Sequence, residues 1–178
     1  ATSDSVFLIA TGAAANTEIE CPDDPRLAEF RHALDHVMQD LATQIVRDGE
    51  GASKFITIDI TGARDEISAH KIAMSVANSP LVKTAIAGGD ANWGRIVMAV
   101  GKAGQSINQS CLVIAMGGIT IARDGARVEG FDETPVTEHM AGDNISIQVC
   151  VGDGPGTARV WTCDLTHGYV SINADYRS

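Results

Sequence analysis

The apolar residues change period early in the chain, and this change limits the fold more than any other feature. Leu27, Phe30, Leu34, Met38, Leu41 and Ile45 recur at the 3.6-residue spacing of one helix face. Asp23-Asp24-Pro25 supplies an N-cap followed by proline in the first turn, and the helix should run to Gly49. A few residues later the period is two: Ile56, Ile58 and Ile60 alternate with Phe55, Thr57, Asp59 and Thr61. That alternation predicts a strand with one buried face, broken at Gly62. A chain that makes this switch must bring a helical layer and a sheet together.

The remaining segments repeat both themes. Ser5 to Ala10 reads as a buried strand leading to Gly12. A second helix is predicted from about Asp65 to Val76, and Asn78-Ser79-Pro80 stops it before a further helical segment at Leu81 to Ile86. From Asp90 a third helix carries Trp93, Ile96, Val97 and Val100 on one side. Strands then dominate: Cys111 to Met116, Ile119 to Ala122, a hairpin through Asp124-Gly125 to Arg127-Val128, Asn144 to Val151, and Ala158 to Thr162 after the glycine-rich link 152–156. Helices first and strands later define an α+β or mixed layered α/β fold.

A chain of 178 residues, 44% of them hydrophobic, can bury a real core. No window approaches the roughly 18 apolar residues of a membrane span, and no basic n-region marks a signal peptide. A cytoplasmic protein is the expectation. The formal charge of −10 and the scattered distribution of 13 Lys and Arg argue against nucleic acid and membrane partners. Cys21, Cys111, Cys150 and Cys163 form no C-x-x-C pair, so reduced, mostly buried thiols are expected. His32 and His36 stand four apart on a helix, but without a third ligand they do not make a metal site.

Three segments concentrate polar chemistry. Gly88-Gly89-Asp90-Ala91-Asn92-Trp93-Gly94-Arg95 reads locally as a capped helix start, with Asp90 as a candidate cap. In Asp48-Gly49-Glu50-Gly51 the pattern alone favours a helix-terminating turn with Gly49 left-handed. Ile172-Asn173-Ala174-Asp175-Tyr176-Arg177-Ser178 reads on its own as a frayed tail. Together with Thr2-Ser3-Asp4-Ser5-Val6, Val82-Lys83-Thr84-Ala85 and Cys163-Asp164-Leu165-Thr166, these segments resemble the ornithine acetyltransferase (glutamate N-acetyltransferase, ArgJ) family. The likeness runs from Thr2 to Ser178 and lies in the later part of the family's β chain.

The resemblance implies helices covering paired β-sheets, the DmpA/ArgJ-like sandwich, with residues 1–178 as the C-terminal portion of the β chain. It implies acetyl transfer from N-acetylornithine to glutamate through an acyl-threonine intermediate, in arginine biosynthesis. Glu50, Asn173 and Ser178 match substrate-binding positions of the family. A carboxylate suits an ammonium or amine, and the amide and hydroxyl suit a substrate carboxylate or carbonyl. Ser178 stands where the family more often has threonine. Asp90, Asn92, Trp93 and Arg95 are assigned to architecture, around the site at most.

Ala1-Thr2 looks like the family's self-cleavage pair, yet the continuation Ser3-Asp4-Ser5-Val6 aligns Thr2 downstream of the nucleophilic threonine. No catalytic residue is therefore expected in this chain, which should be inactive alone. The implied partner is the α chain of the same precursor, in an α2β2 heterotetramer. No metal or bound cofactor is expected, and acetyl-CoA is a donor only in some family members. Two other readings stay open: a related self-cleaving amidohydrolase or aminopeptidase, and a non-catalytic amino-acid-binding subunit.

Overall fold

A computed structural model of the protein describes residues 4–130 and 132–174. The chain divides into two compact units, Ala1–Ile45 and Val46–Ser178.

In the first unit, Asp24 caps a 3-10 turn, Pro25–Leu27, by accepting from the Arg26 amide at 2.9 Å. Helix α1, Ala28–Arg47, follows it. The cap, the proline and the helix agree with the sequence, but the apolar stripe is not core. No residue of α1 is buried, and Phe30 is 54% exposed. The strand expected from Ser5 to Ala10 is also absent: this stretch is irregular, and Phe7 and Ile9 are more than four-fifths exposed. An apolar run becomes a strand only beside another strand that takes up its N–H and C=O groups. None stands beside it among the described residues.

The second unit holds one six-stranded sheet: β1 (Phe55–Ala63), β2 (Val113–Met116), β3 (Ile119–Arg123), β4 (Ala126–Arg127), β5 (Asn144–Cys150) and β6 (Gly156–Cys163), in the order β4-β3-β2-β5-β1-β6. β1 lies between β5, to which it is parallel, and β6, to which it is antiparallel. Ile56, Ile58 and Ile60 pair with Ile145, Ile147 and Val149, and all six are at most 1% exposed. Their face is covered by α2 (Glu66–Ala77), which packs on β1 and β6. α3 (Pro80–Ala87) and α4 (Trp93–Lys102) pack behind α2. The mixed α/β layers expected from the sequence are present. On the sheet's other face Thr57, Asp59, Ser146, Gln148 and Trp161 stay half-buried, and Arg159 closes on Asp59 at 2.6 Å.

Gly62 does not end β1. It takes φ +75° inside the strand at an irregularity in the register with β6, and its backbone lies against Gly152, where a Cβ would stand 2.1 Å from the Gly152 oxygen. Two helices escaped the sequence reading: α5 (Thr134–Ala141), which buries Val136 and Met140, and α6 (His167–Ala174). The four thiols are free, as expected, but not mostly buried: Cys21 is exposed and Cys111, Cys150 and Cys163 are half-buried. No helix among the described residues is long and apolar enough to cross a membrane.

Candidate functional site

After α1 the chain turns through Asp48 to Ser53 and enters β1, so Glu50 is presented on an exposed turn. The left-handed residue of this turn is Gly51, at φ +69°, and not Gly49 as the helix-end pattern suggested. The reason is close approach. A Cβ on Gly51 would lie 2.4 Å from the Tyr169 nitrogen and 2.5 Å from the Gly168 carbonyl carbon, at the start of α6. Only glycine lets the two backbones meet there.

The link from β6 to α6 grips this turn. Asp164, 3% exposed, accepts from the Ser53 amide at 2.8 Å, the Ser53 hydroxyl at 2.5 Å and the Lys54 amide at 3.0 Å. Three donors satisfy a buried carboxylate that would be costly to leave unpaired. Thr166 Oγ1 donates to the Gly51 carbonyl at 2.6 Å and accepts from the Gly168 amide at 3.0 Å. The Leu165 amide donates to the Lys83 carbonyl at 3.3 Å, which ties the same link to α3.

This arrangement brings together two of the residues singled out in the sequence. Asn173, on α6, donates from Nδ2 to Glu50 Oε2 at 2.7 Å across 123 positions of chain, and also to the Tyr169 carbonyl at 2.9 Å. Both partners are pure acceptors, and they fix which end of the amide is nitrogen. Both amide hydrogens of Asn173 are engaged in these two contacts. The pair instead offers oxygens to an incoming group: Glu50 Oε1 and Asn173 Oδ1. An exposed pair of acceptors, one charged, can take hydrogen bonds from a donor-rich cation such as an ammonium. Ser178 lies outside the described residues, as does Thr2.

The Asp90–Arg95 motif has another place. Asn92, not Asp90, caps α4, accepting from the Arg95 amide at 3.2 Å, and its own amide donates to Asp90 at 3.0 Å. Arg95 reaches back to the Leu81 carbonyl at 2.8 Å and Thr84 Oγ1 at 3.3 Å, joining α4 to α3. Asp90, Asn92 and Trp93 also line a cavity of about 370 Å³ with Arg127, Glu133 and Met140; Glu50 and Asn173 do not line it. No group of three His, Cys, Asp or Glu among the described residues could hold a metal ion.

A glycine-turned glutamate thus meets an asparagine of a following helix on a mixed α/β core. A sequence model of the ArgJ family matches residues 1–178, and the chain belongs to that family. It is 56% identical over 177 residues to the arginine biosynthesis bifunctional protein ArgJ of Gluconobacter oxydans, covering 99% of this chain and 42% of that relative. It is also 52% identical over 180 residues to the protein of the same name from Agrobacterium fabrum, covering 99% of this chain and 44% of the relative. The chain thus spans less than half the length of these relatives. The crystal structure of ArgJ from Bacillus halodurans superposes with a TM-score of 0.89 at 43% identity, covering 99% of this chain and 82% of that one.

Proposed function

We propose that this chain forms the amino-acid-binding part of a glutamate N-acetyltransferase that moves an acetyl group from N-acetylornithine to glutamate in arginine biosynthesis. Family membership over residues 1–178 supports the reaction class. One structural observation carries the site: Glu50 and Asn173 meet at 2.7 Å on exposed backbone and leave only oxygens free.

In this reading the pair holds the amine of the bound amino acid, and the Ser178 hydroxyl adds a further polar contact. A threonine outside these residues takes the acetyl group as an acyl-enzyme and passes it to glutamate. Oxyanion donors on the rest of the protein stabilise the tetrahedral intermediates. The partner is an α chain from the same precursor in an α2β2 assembly, the compartment is the cytoplasm, and no bound cofactor takes part. Acetyl-CoA would enter only as an alternative donor.

The test is product analysis with the complete protein. Incubation with N-acetylornithine and glutamate should release ornithine and N-acetylglutamate in equal amounts, and omitting glutamate should reduce turnover strongly. Equal ornithine release with and without glutamate would assign the protein to hydrolysis instead.

A further inference from the structure

Glu50 and Asn173 sit on separate elements, and neither side chain is buried, so their 2.7 Å contact depends on what holds the turn against α6. The core does not: β1 begins only at Phe55, and α6 has no buried residue. A hydroxyl joins them directly. Thr166 Oγ1 is the donor to the Gly51 carbonyl, one residue after Glu50, and the acceptor for the Gly168 amide in the first turn of α6. Asp164, two residues earlier, fixes the far side of the turn through Ser53 and Lys54.

We propose that Thr166 is the positioning residue of the Glu50–Asn173 site, setting through one hydroxyl both the height of the glutamate turn and the start of the helix that carries Asn173. This rests on the reading of that pair as the place where the substrate amine binds. Small misplacements of a binding group are felt strongly, and Thr166 reaches both halves of the pair through backbone groups, the Gly51 carbonyl and the Gly168 amide.

The test compares Thr166→Val, which keeps the shape and removes the hydroxyl, with Thr166→Ser, which keeps the hydroxyl, in the complete enzyme. Thr166→Val should raise KM for the amino-acid substrates roughly three- to tenfold, the range spanned by one intramolecular hydrogen bond, with kcat within about twofold. Thr166→Ser should restore KM to within about twofold of wild type. Because Thr166 acts through the Glu50–Asn173 pair, the loss in the double variant Glu50→Gln/Thr166→Val should fall short of the product of the two single losses. Unchanged KM in Thr166→Val beside an impaired Glu50→Gln, or losses that multiply in the double variant, would overturn the positioning role. Unchanged kinetics in Glu50→Gln would remove the site reading itself, and the proposal with it. Should Thr166→Val fail to fold, Thr166→Ala against Thr166→Ser gives the same comparison.

Discussion

Gly51→Ala isolates the cost of the close approach on which the site depends. The residue has φ +69°, and a non-glycine residue in the left-handed region loses about 1–2 kcal/mol. The methyl would also enter backbone: 2.4 Å from the Tyr169 nitrogen, 2.5 Å from the Gly168 carbonyl carbon and 3.0 Å from the Gly168 Cα. No rotamer change relieves contacts with backbone atoms, so α6 or the turn has to move, at the roughly 1–3 kcal/mol typical of overpacking. Gly89→Ala is the control. Gly89 has nearly the same φ, +71°, but nothing lies within 4 Å of its added methyl. Gly51→Ala should therefore cost about 2–5 kcal/mol and Gly89→Ala only about 1–2 kcal/mol. The assay is thermal unfolding of the complete protein, paired with steady-state kinetics. Gly51→Ala should show the lower midpoint and an impaired kcat/KM, while Gly89→Ala stays near wild type in kcat/KM. Equal midpoints and equal kinetics for the two variants would refute the packing argument.

Ile58→Ala, at a fully buried position of β1, should destabilise by about 2–5 kcal/mol in thermal or denaturant unfolding, through lost burial and the cavity left behind. Asp65 caps α2, and its carboxyl is held down at about 2 by hydrogen bonds from the Ser68 side chain and backbone and then from Arg64. A depressed carboxylate pKa stabilises the folded state above the unfolded value of 3.8 and loses that contribution as pH falls toward about 2. Asp65→Asn, which can still cap, should flatten the fall in Tm between pH 4 and about pH 2, and an unchanged slope would contradict the assignment.

The elements legible in the sequence were those with a local signature. Asp65 before α2 and Ser79-Pro80 before α3 mark helix starts by side chains that cap them in the structure, and Asp124-Gly125 sits at φ +53° and +76° in the hairpin between β3 and β4. Alternation placed β1 and β5 because each has one buried face. Two failures share a cause, since periodicity reports that residues are apolar and not what covers them. The α1 stripe and the Ser5–Ala10 run read as core, but no α1 residue is buried, Phe30 and Met38 are exposed, and the Ser5–Ala10 run is exposed throughout. α5 carried a usable signal that went unread: Asp132 accepts from the Thr134 amide at 2.9 Å, Pro135 stands in the first turn, and Val136 and Met140 are four apart.

The site was legible only in part. Glu50 and Asn173 could be named through the family resemblance, but no spacing across 123 residues shows that one donates to the other. Asp164 and Thr166 lie in the Cys163-Asp164-Leu165-Thr166 segment, whose sequence alone gives them no role. Their work is long-range, reaching Ser53 and Gly51 across 111 and 115 positions, which a linear pattern does not contain.

The central claim is that Glu50 holds the amine of the substrate, and kcat/KM of Glu50→Gln in the complete enzyme tests it most directly. Glu50 is exposed, and its side chain is bound to Asn173, so the substitution spares the core. Glu18→Gln and Glu20→Gln, also exposed, serve as controls for loss of one negative charge. Losing a charge-assisted hydrogen bond of about 1.5–3 kcal/mol should lower kcat/KM for N-acetylornithine roughly ten- to a hundredfold in Glu50→Gln, with both controls within about twofold of wild type. The same kcat/KM in all three variants would leave Glu50 as a turn residue and contradict the account.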